Sequence, residues 1–468
     1  MLRLFGESPR LPTLTDHSFP ASGLTRQLGL GAAAAAVAGE AIGVGIFLTP
    51  AGMARQLGSP FWLLMVWLSM GLMAVAGALC FGGLAARYPE AGGGYVYVRE
   101  AYGPRLAFLY GWMQLLVLDP GVTASLAIGA AAYTASITHL SPGSQKVLGI
   151  AVILGLAALN IRATRLGAGF LQVLSWLKVG ALALLPVWAV ALGLGDWSHF
   201  TPFVGQRPGS APLLTALAGS CMAAFYSFGG WWEAAKIARE VRNPERTMPR
   251  ALTLGVVAVT LVYILVTGVF VYLVPFAGIT SDETFMAQAG ERLFGPAGGA
   301  VLAALVVLCV LGSMAALLIL SPRVYYAMAR DGLFFHQVAR VHPRYGTPAR
   351  AIAVQAILAS LLVALGTFVQ IVAYFVFVAV VFLGLTVAGT FRLRADVTEG
   401  ARLRVPGYPY TPLAFLALVA LLLALLVEHN TLQAALGVVV VMMGLPAYRL
   451  VRRQMNPPGG VEREARST

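Results

Sequence analysis

Charge is what this chain most conspicuously lacks. Asp, Glu, Lys and Arg make up 11% of its 468 residues, against about a quarter in a soluble domain. So few charges cannot cover a water-facing surface, and a hydrophobic content of 59% turns most of that surface to lipid. Cysteine is scarcer still. The three, Cys80, Cys221 and Cys309, each sit inside an apolar run and no pair has metal-ligand spacing, which fits small buried hydrophobes. No nucleophile–base pair, metal cluster or phosphate-binding loop stands out, so the sequence points to no enzyme and no cofactor. Residues 1–26 hold Asp16, three prolines and several arginines but no apolar core before a cleavage site. A cleavable signal is therefore not expected, and the first hydrophobic helix serves as its own insertion signal.

What is present is a series of apolar stretches with short gaps. A spanning helix takes about 20 mostly apolar residues. The candidates are 27–51, 61–86, 106–136, 145–160, 167–194, 212–237, 251–274, 298–329, 350–366, 368–391, 411–428 and 431–450. The fold class is thus all-α integral membrane with about twelve helices, and no gap holds a soluble domain. Residues 1–26 form one tail, 27–404 a core with its connecting loops, 405–450 two further helices and 451–468 a second tail.

The net charge is +13, and its placement decides its meaning. With the N-terminus in the cytoplasm and sides alternating, segments on the inside hold 27 of the 32 Lys and Arg residues, those outside hold 4, and Lys178 lies within a span. That bias sets orientation. It places both termini in the cytoplasm of a cell (plasma or inner) membrane and accounts for the basic balance without nucleic acid.

Two spans carry paired glycines at mid-depth. The first reads GEAIGVGIFLTP, with Gly43 and Gly45 flanking Val44; the sixth reads AFYSFGGWWEAAK, with Gly229 and Gly230 adjacent. Glycine weakens a helix and admits backbone conformations other residues resist. Spans 1 and 6 occupy matching places in two five-helix halves, and because five is odd the second half is upside down. Interrupted helices at corresponding positions of inverted repeats point to a transporter's binding site. Spans 3 and 8 also correspond, with Pro120 and Pro322, while spans 11 and 12 lie outside the repeat. An interrupted helix exposes N–H groups at a new N-terminus and C=O groups at a C-terminus. The N–H groups of Val44, Gly45 and Ile46 can hold a carboxylate. The C=O groups of Ala41, Ile42, Tyr226, Ser227 and Phe228 can hold an ammonium. Such a site suits a zwitterionic α-amino acid.

Charges at membrane depth are costly and are functional candidates. Lys178 lies well inside span 5, as a structural cation or a titratable group beside the first break. Glu40 precedes Gly43 by three residues; it pairs with Lys178, faces an ammonium or carries a proton. Glu233 and Lys236 have the spacing of a local helix pair. Asp119 precedes Pro120 and is read as supporting the freed backbone of a kink. Among the aromatics around the second break, Tyr226 is the expected gate over a substrate.

Several segments carry a family resemblance. GVGIFLTPAGMARQLGSP, PEAGGGYVYVREAYG, FYSFGGWWEAAKIAREVRNPERTMPRAL and SPRVYYAMARDGLFF run in order and resemble the first helix, the following Gly-rich loop, the sixth helix with its loop, and the end of the eighth helix in the amino acid–polyamine–organocation (APC) superfamily. Within it the chain resembles the L-amino-acid transporter family and the bacterial serine/threonine and alanine exchangers. The resemblance implies a LeuT-like 5+5 inverted repeat, alternating access and sodium-independent transport, because Lys178 matches a family lysine standing where related transporters bind Na⁺. It implies that Gly43, Val44 and Gly45 bind carboxylate, that Tyr226 gates, and that Ser227 and Phe228 lie in the amino-group segment with Gly229. Val44, Trp232 and Glu233 depart from the family's usual small or uncharged residues. Eukaryotic members bind a heavy chain through a cysteine between helices 3 and 4; SITHLSPGSQK has none, so no disulfide-linked heavy chain is expected. The expected function is exchange of small neutral amino acids, with proton symport or a cationic amino acid or polyamine carrier as alternatives.

Overall fold

The structure is a computed structural model that describes residues 28–90, 92–162, 180, 182–279, 285–321, 324–325, 328–329, 331–335, 337, 340, 342–345, 347–395, 403–429 and 431–455. Lys178 and Pro322 lie outside the described residues.

The described residues form helices joined by turns and, over 192–212, by a longer connection that carries a 3-10 helix (Trp197–Phe200). Span 1 is α1 (Leu30–Ala41) and α2 (Gly45–Leu57), and span 2 is α3 (Pro60–Arg87). A short α4 (Gly94–Tyr102) leads into span 3, which comprises α5 (Pro104–Met113), a π-helical turn (Gln114–Leu118) and α6 (Asp119–Thr138). Then come α7 (Pro142–Arg162), α8 (Leu182–Ala191), α9 (Leu213–Phe228) followed by a 3-10 helix (Glu233–Glu240), and α10 (Pro244–Leu273). The last are α11 (Phe285–Leu320), α12 (Ala349–Leu365), α13 (Phe368–Ala395), α14 (Tyr410–His429), α15 (Thr431–Met442) and α16 (Gly444–Met455). Among the described residues nine helices are long and apolar enough to cross a membrane, or ten when α1 and α2 count as one span bent by 49°. Two shorter apolar helices, α8 and α12, fall in the fifth and ninth predicted stretches. Their outer faces carry large apolar side chains such as Leu184 and Leu365, 68% and 77% exposed, a surface suited to lipid. The chain is an all-α, multi-pass membrane protein.

Boundaries shift in instructive places. Span 8 is preceded by a helical arm from Phe285, broken at Gly295 (φ 73°) where Pro296 follows. The apolar window over 298–329 hides that break. The last span continues as helix to Met455 with an interruption at Met443. PEAGGGYVYVREAYG, read as a connection, contains α4. Tyr95, Val96, Tyr97 and Val98 are all buried there, because α4 is wedged against α5, α13 and the 3-10 helix. At nine residues α4 is too short to span a membrane, so a reading by apolar length leaves it in a connection.

Each of the first four spans packs against the span five places on. At one end of spans 1 and 6, Leu28 N donates to Glu240 O (3.0 Å) and Arg242 N to Leu28 O (2.9 Å); at the other, Arg207 N donates to Gly58 O (3.1 Å) and Ala211 N to Gln56 O (3.2 Å). On α3 and α10, Gly71 faces Thr260 and Gly82 faces Pro249. On α6 and the α11 segment, Met286 N donates to Tyr133 Oη and Tyr325 donates to Asp119. On α7 and α12, Lys146 Nζ donates to Ala364 O and Thr347 Oγ1 to Ile161 O. In every pair one residue number rises as the other falls, so the partners run antiparallel.

Two of the resembling motifs meet beside α4. Arg99 Nη1 reaches Asp331 Oδ2 at 2.5 Å, and Tyr95 Oη donates to the same oxygen at 2.8 Å. Burial first, then the Asp331 carboxylate, pushes the Tyr95 phenol well above its ordinary range, so it remains a donor at any pH the protein meets. Asp331→Asn removes the charge that both donors share. We expect it to cost about 1–2 kcal/mol, read as a lowered melting temperature in detergent; an unchanged melting temperature would show the cluster to be ornamental.

Candidate functional site

The first span breaks because α1 ends at Ala41 and α2 restarts at Gly45, with Ile42 leaving helical geometry (φ −77°, ψ 72°). Val44 is the N-cap of α2, with Gly45 and Ile46 next. These positions have no intrahelical acceptor for their N–H groups. In the second span α9 ends at Phe228, and four residues of turn precede the 3-10 helix. This span is interrupted in its hydrogen bonding without the sharp bend of the first.

The two breaks lie against each other. A Cβ built on Gly45 would stand 2.4 Å from Ser227 Cα, and one built on Gly230 (φ +104°) would stand 2.5 Å from Glu40 O. Side-chain hydroxyls knit the crossing: Thr49 Oγ1 lies 2.8 Å from Ser227 Oγ and 3.0 Å from Gly45 O, while Ser227 Oγ lies 2.8 Å from Ala223 O. Tyr263 of α10 bridges both breaks, its hydroxyl 2.9 Å from Ala41 O and 2.8 Å from Ser227 O. The ring is held edge-on to Trp67. Tyr263 is one of several hydroxyl residues in the apolar run of α10, beside Thr253, Thr260, Thr267 and Tyr272, and nothing in the sequence singles it out.

Beside the crossing is a cavity of ≈ 90 Å³, several times the roughly 10–15 Å³ that holds one water. Gly43, Val44, Gly45, Tyr226, Ser227, Gly229 and Glu40 line it as the sequence suggested. Ala41, Ile42, Ile46 and Phe228 do not; Phe228 turns away to pack on Tyr263 and Trp67. Walls the sequence did not assign come from α6 (Val122, Leu126), α11 (Ser313, Leu317) and α13 (Phe375, Ala379). Tyr226 sits between them: its hydroxyl is 2.9 Å from Ser125 Oγ, and its ring meets Phe368 and Phe375 edge-on.

The polar end of the cavity holds Glu40, Asp119 and Glu233. Glu233 forms the expected pair with Lys236. Lys236, counted from the sequence with the inside segments as the end of span 6, is 4% exposed and interacts electrostatically with Glu233, Asp119 and Glu40; without it 26 of the 27 inside cations remain. Asp119 departs from expectation as well. Its carboxylate accepts from Tyr325 rather than serving backbone freed by Pro120, and the π-helical turn before it absorbs the irregularity. Among the described residues no group of three or more His, Cys, Asp or Glu is placed to hold a metal ion.

Many membrane crossings around a small cavity walled by two interrupted helices define a carrier for a small solute. The sequence profile of the amino acid permease family matches residues 28–446, and the chain belongs to that family, within the APC superfamily. It is 29% identical to the serine/threonine exchanger SteT of Bacillus subtilis over 431 residues, covering 91% of this chain and 97% of that protein. It is 28% identical to the human cystine/glutamate transporter over 457 residues (94% and 89%). With the human large neutral amino acids transporter small subunit 2 it shares 26% over 437 residues (91% and 80%). The family and these relatives are transporters rather than enzymes, and the chain is an amino acid transporter.

Proposed function

We propose that the chain exchanges small neutral amino acids across the cell membrane, independently of sodium, by alternating access. The observation that carries this reading is the crossing at Gly45 and Ser227. There the N–H end of α2 and the C=O end of α9 border one cavity, a placement that offers donors to a carboxylate and acceptors to an ammonium. In this reading Val44 and Gly45 take the carboxylate. Tyr226, Ser227 and Gly229 border the ammonium, Tyr226 closes over the substrate, and Ala41, Ile42, Ile46 and Phe228, which lie off the cavity, shape the two breaks behind them. The antiparallel packing of each early span on the span five places on supports twelve spans and a 5+5 inverted repeat over 27–404, with 405–450 outside it. Sodium independence rests on Lys178 through the family resemblance. Both termini are placed in the cytoplasm by the arginine bias. The three cysteines lie in helices, which supports a carrier without a disulfide-linked heavy chain.

Labelled alanine, serine and arginine are offered to proteoliposomes with and without amino acid inside. We expect alanine and serine to enter loaded vesicles only, unaffected by replacing Na⁺ with choline. Entry of arginine in preference to both would favour a cationic carrier, the reading that the carboxylates Glu40, Asp119 and Glu233 bring forward. No uptake of any of the three would defeat the proposal.

A further inference from the structure

The transport reading accounts for the backbone groups at the two breaks and leaves one buried carboxylate without a role. Asp119 lies near the middle of span 3, is 2% exposed and lines the cavity. Its direct hydrogen-bond donor is the neutral Tyr325 hydroxyl on the segment after α11. Among the described residues the nearest ammonium, Lys236, is already engaged in a direct pair with Glu233 and reaches Asp119 only through longer-range attraction. Glu233 and Glu40 line the same cavity, and Lys236 on the 3-10 helix attracts Glu233, Asp119 and Glu40 alike. Tyr110 of α5 adds a neutral phenol to the group, near both Asp119 and Glu233. A second observation comes from the π-helical turn. Gln114 is fully buried and its Nε2 donates to Glu233 Oε1 at 3.3 Å, while its own Oε1 has no hydrogen-bond partner among the described residues. Among the described residues Asp119 and Glu233 thus share one ammonium, and Gln114 adds an acceptor oxygen without a donor.

A carboxylate in a low-dielectric cavity with its counter-charge committed elsewhere is neutralised most cheaply by a proton. We propose that Asp119 is a proton-binding residue of the transport cavity, loaded and unloaded as the cavity changes the side it faces. The step is an acid–base exchange. An O–H bond forms at the Asp119 carboxylate with a proton from cavity water on one side, and breaks to water on the other, with nothing oxidised or reduced. The ion-paired end of the cavity supplies the coupling. Span 6 carries Glu233 and Lys236, while Tyr325 sits on the segment after α11. A movement of span 6 against spans 3 and 8 changes the distance of Lys236 from Asp119, and with it the stability of the ionised form. The inference rests on the transport reading and deepens it by making amino acid movement proton-dependent.

Exchange of labelled alanine is measured in proteoliposomes from about pH 5.5 to about pH 8, with the full-length chain and with Asp119→Asn. The wild-type rate is expected to change about tenfold across that range, and the residual rate of Asp119→Asn to be flat within about twofold. Tyr325→Phe keeps the carboxylate and removes its donor, so the midpoint of its pH profile should move up by about one unit. Infrared difference spectra of the solubilised protein between the two pH extremes give a readout independent of transport: a carboxylic acid C=O band appears at low pH and is missing in Asp119→Asn. A flat wild-type profile, an Asp119→Asn profile with the wild-type slope, or an acid band that survives in Asp119→Asn would overturn the proposal. So would a wild-type preference for lysine or arginine that Asp119→Asn abolishes, since Asp119 would then hold the substrate's side chain. Absence of all amino acid exchange with the carboxylic acid band intact would sink the transport reading and leave the proton site standing.

Discussion

Gly230→Ala and Gly45→Ala should each reduce alanine exchange by about ten- to a hundredfold. At Gly230 the backbone has φ +104°, a conformation that costs an L-residue about 1–3 kcal/mol. The added methyl would also meet Glu40 O at 2.5 Å. That oxygen belongs to the backbone of α1, so it cannot rotate away as a side chain does. At Gly45 the clash is with Ser227 Cα at 2.4 Å and Cβ at 2.7 Å, again close to main chain. Overpacking of this kind costs about 1–3 kcal/mol, and relief requires spans 1 and 6 to separate. Separation displaces the N–H groups of α2 from the C=O groups of α9, and each 1.4 kcal/mol is about tenfold in an equilibrium. Gly268→Ala is the matched control, because a Cβ there meets nothing within 4 Å. If Gly45→Ala and Gly230→Ala exchanged alanine as fast as Gly268→Ala, the crossing would not be the binding site.

Tyr263→Phe should raise the KM for alanine exchange about tenfold while leaving the fold assembled. The ring stays, with its contacts to Trp67 and Phe228. The hydroxyl that faces Ala41 O and Ser227 O is lost. Those carbonyls end one helix and border the other break, in a dry interior where a missing donor costs about 1–3 kcal/mol. They would turn toward the cavity and water, so the acceptor geometry offered to an ammonium changes. A thermal stability loss with unchanged KM would instead make Tyr263 a support of the crossing that the substrate does not sense.

Much of this was legible in the sequence. Hydropathy located the nine or ten membrane-length helices found among the described residues, since burying backbone in lipid leaves few solutions. The glycine pairs located both breaks, since mid-membrane glycine marks close approach or unwinding, and Gly43, Val44, Gly45, Tyr226, Ser227 and Gly229 do line the cavity. The Glu233–Lys236 pair followed from its spacing alone. Other features were hidden for identifiable reasons. Lys236 reads as a cation at the inner end of span 6 paired with Glu233, and only the turn after Phe228 brings it near Asp119 and Glu40 as well. Asp119 reads as a proline's neighbour, and only packing on the segment after α11 gives it Tyr325. Tyr263 has no local signature, because its partners lie on α1 and α9.

The sequence by itself determined the class: scarce charge, long apolar runs and two interrupted spans fix an all-helical membrane carrier, because those properties are local and additive along the chain. The tertiary structure decided which groups face the cavity and how its charges are shared. Walls from α6, α11 and α13, the Tyr263 bridge and the attraction of Lys236 for Asp119 and Glu40 all depend on distances between residues far apart in sequence. Hydrogen bonds and ion pairs act over a few ångströms of space, and no periodicity in the chain encodes that separation.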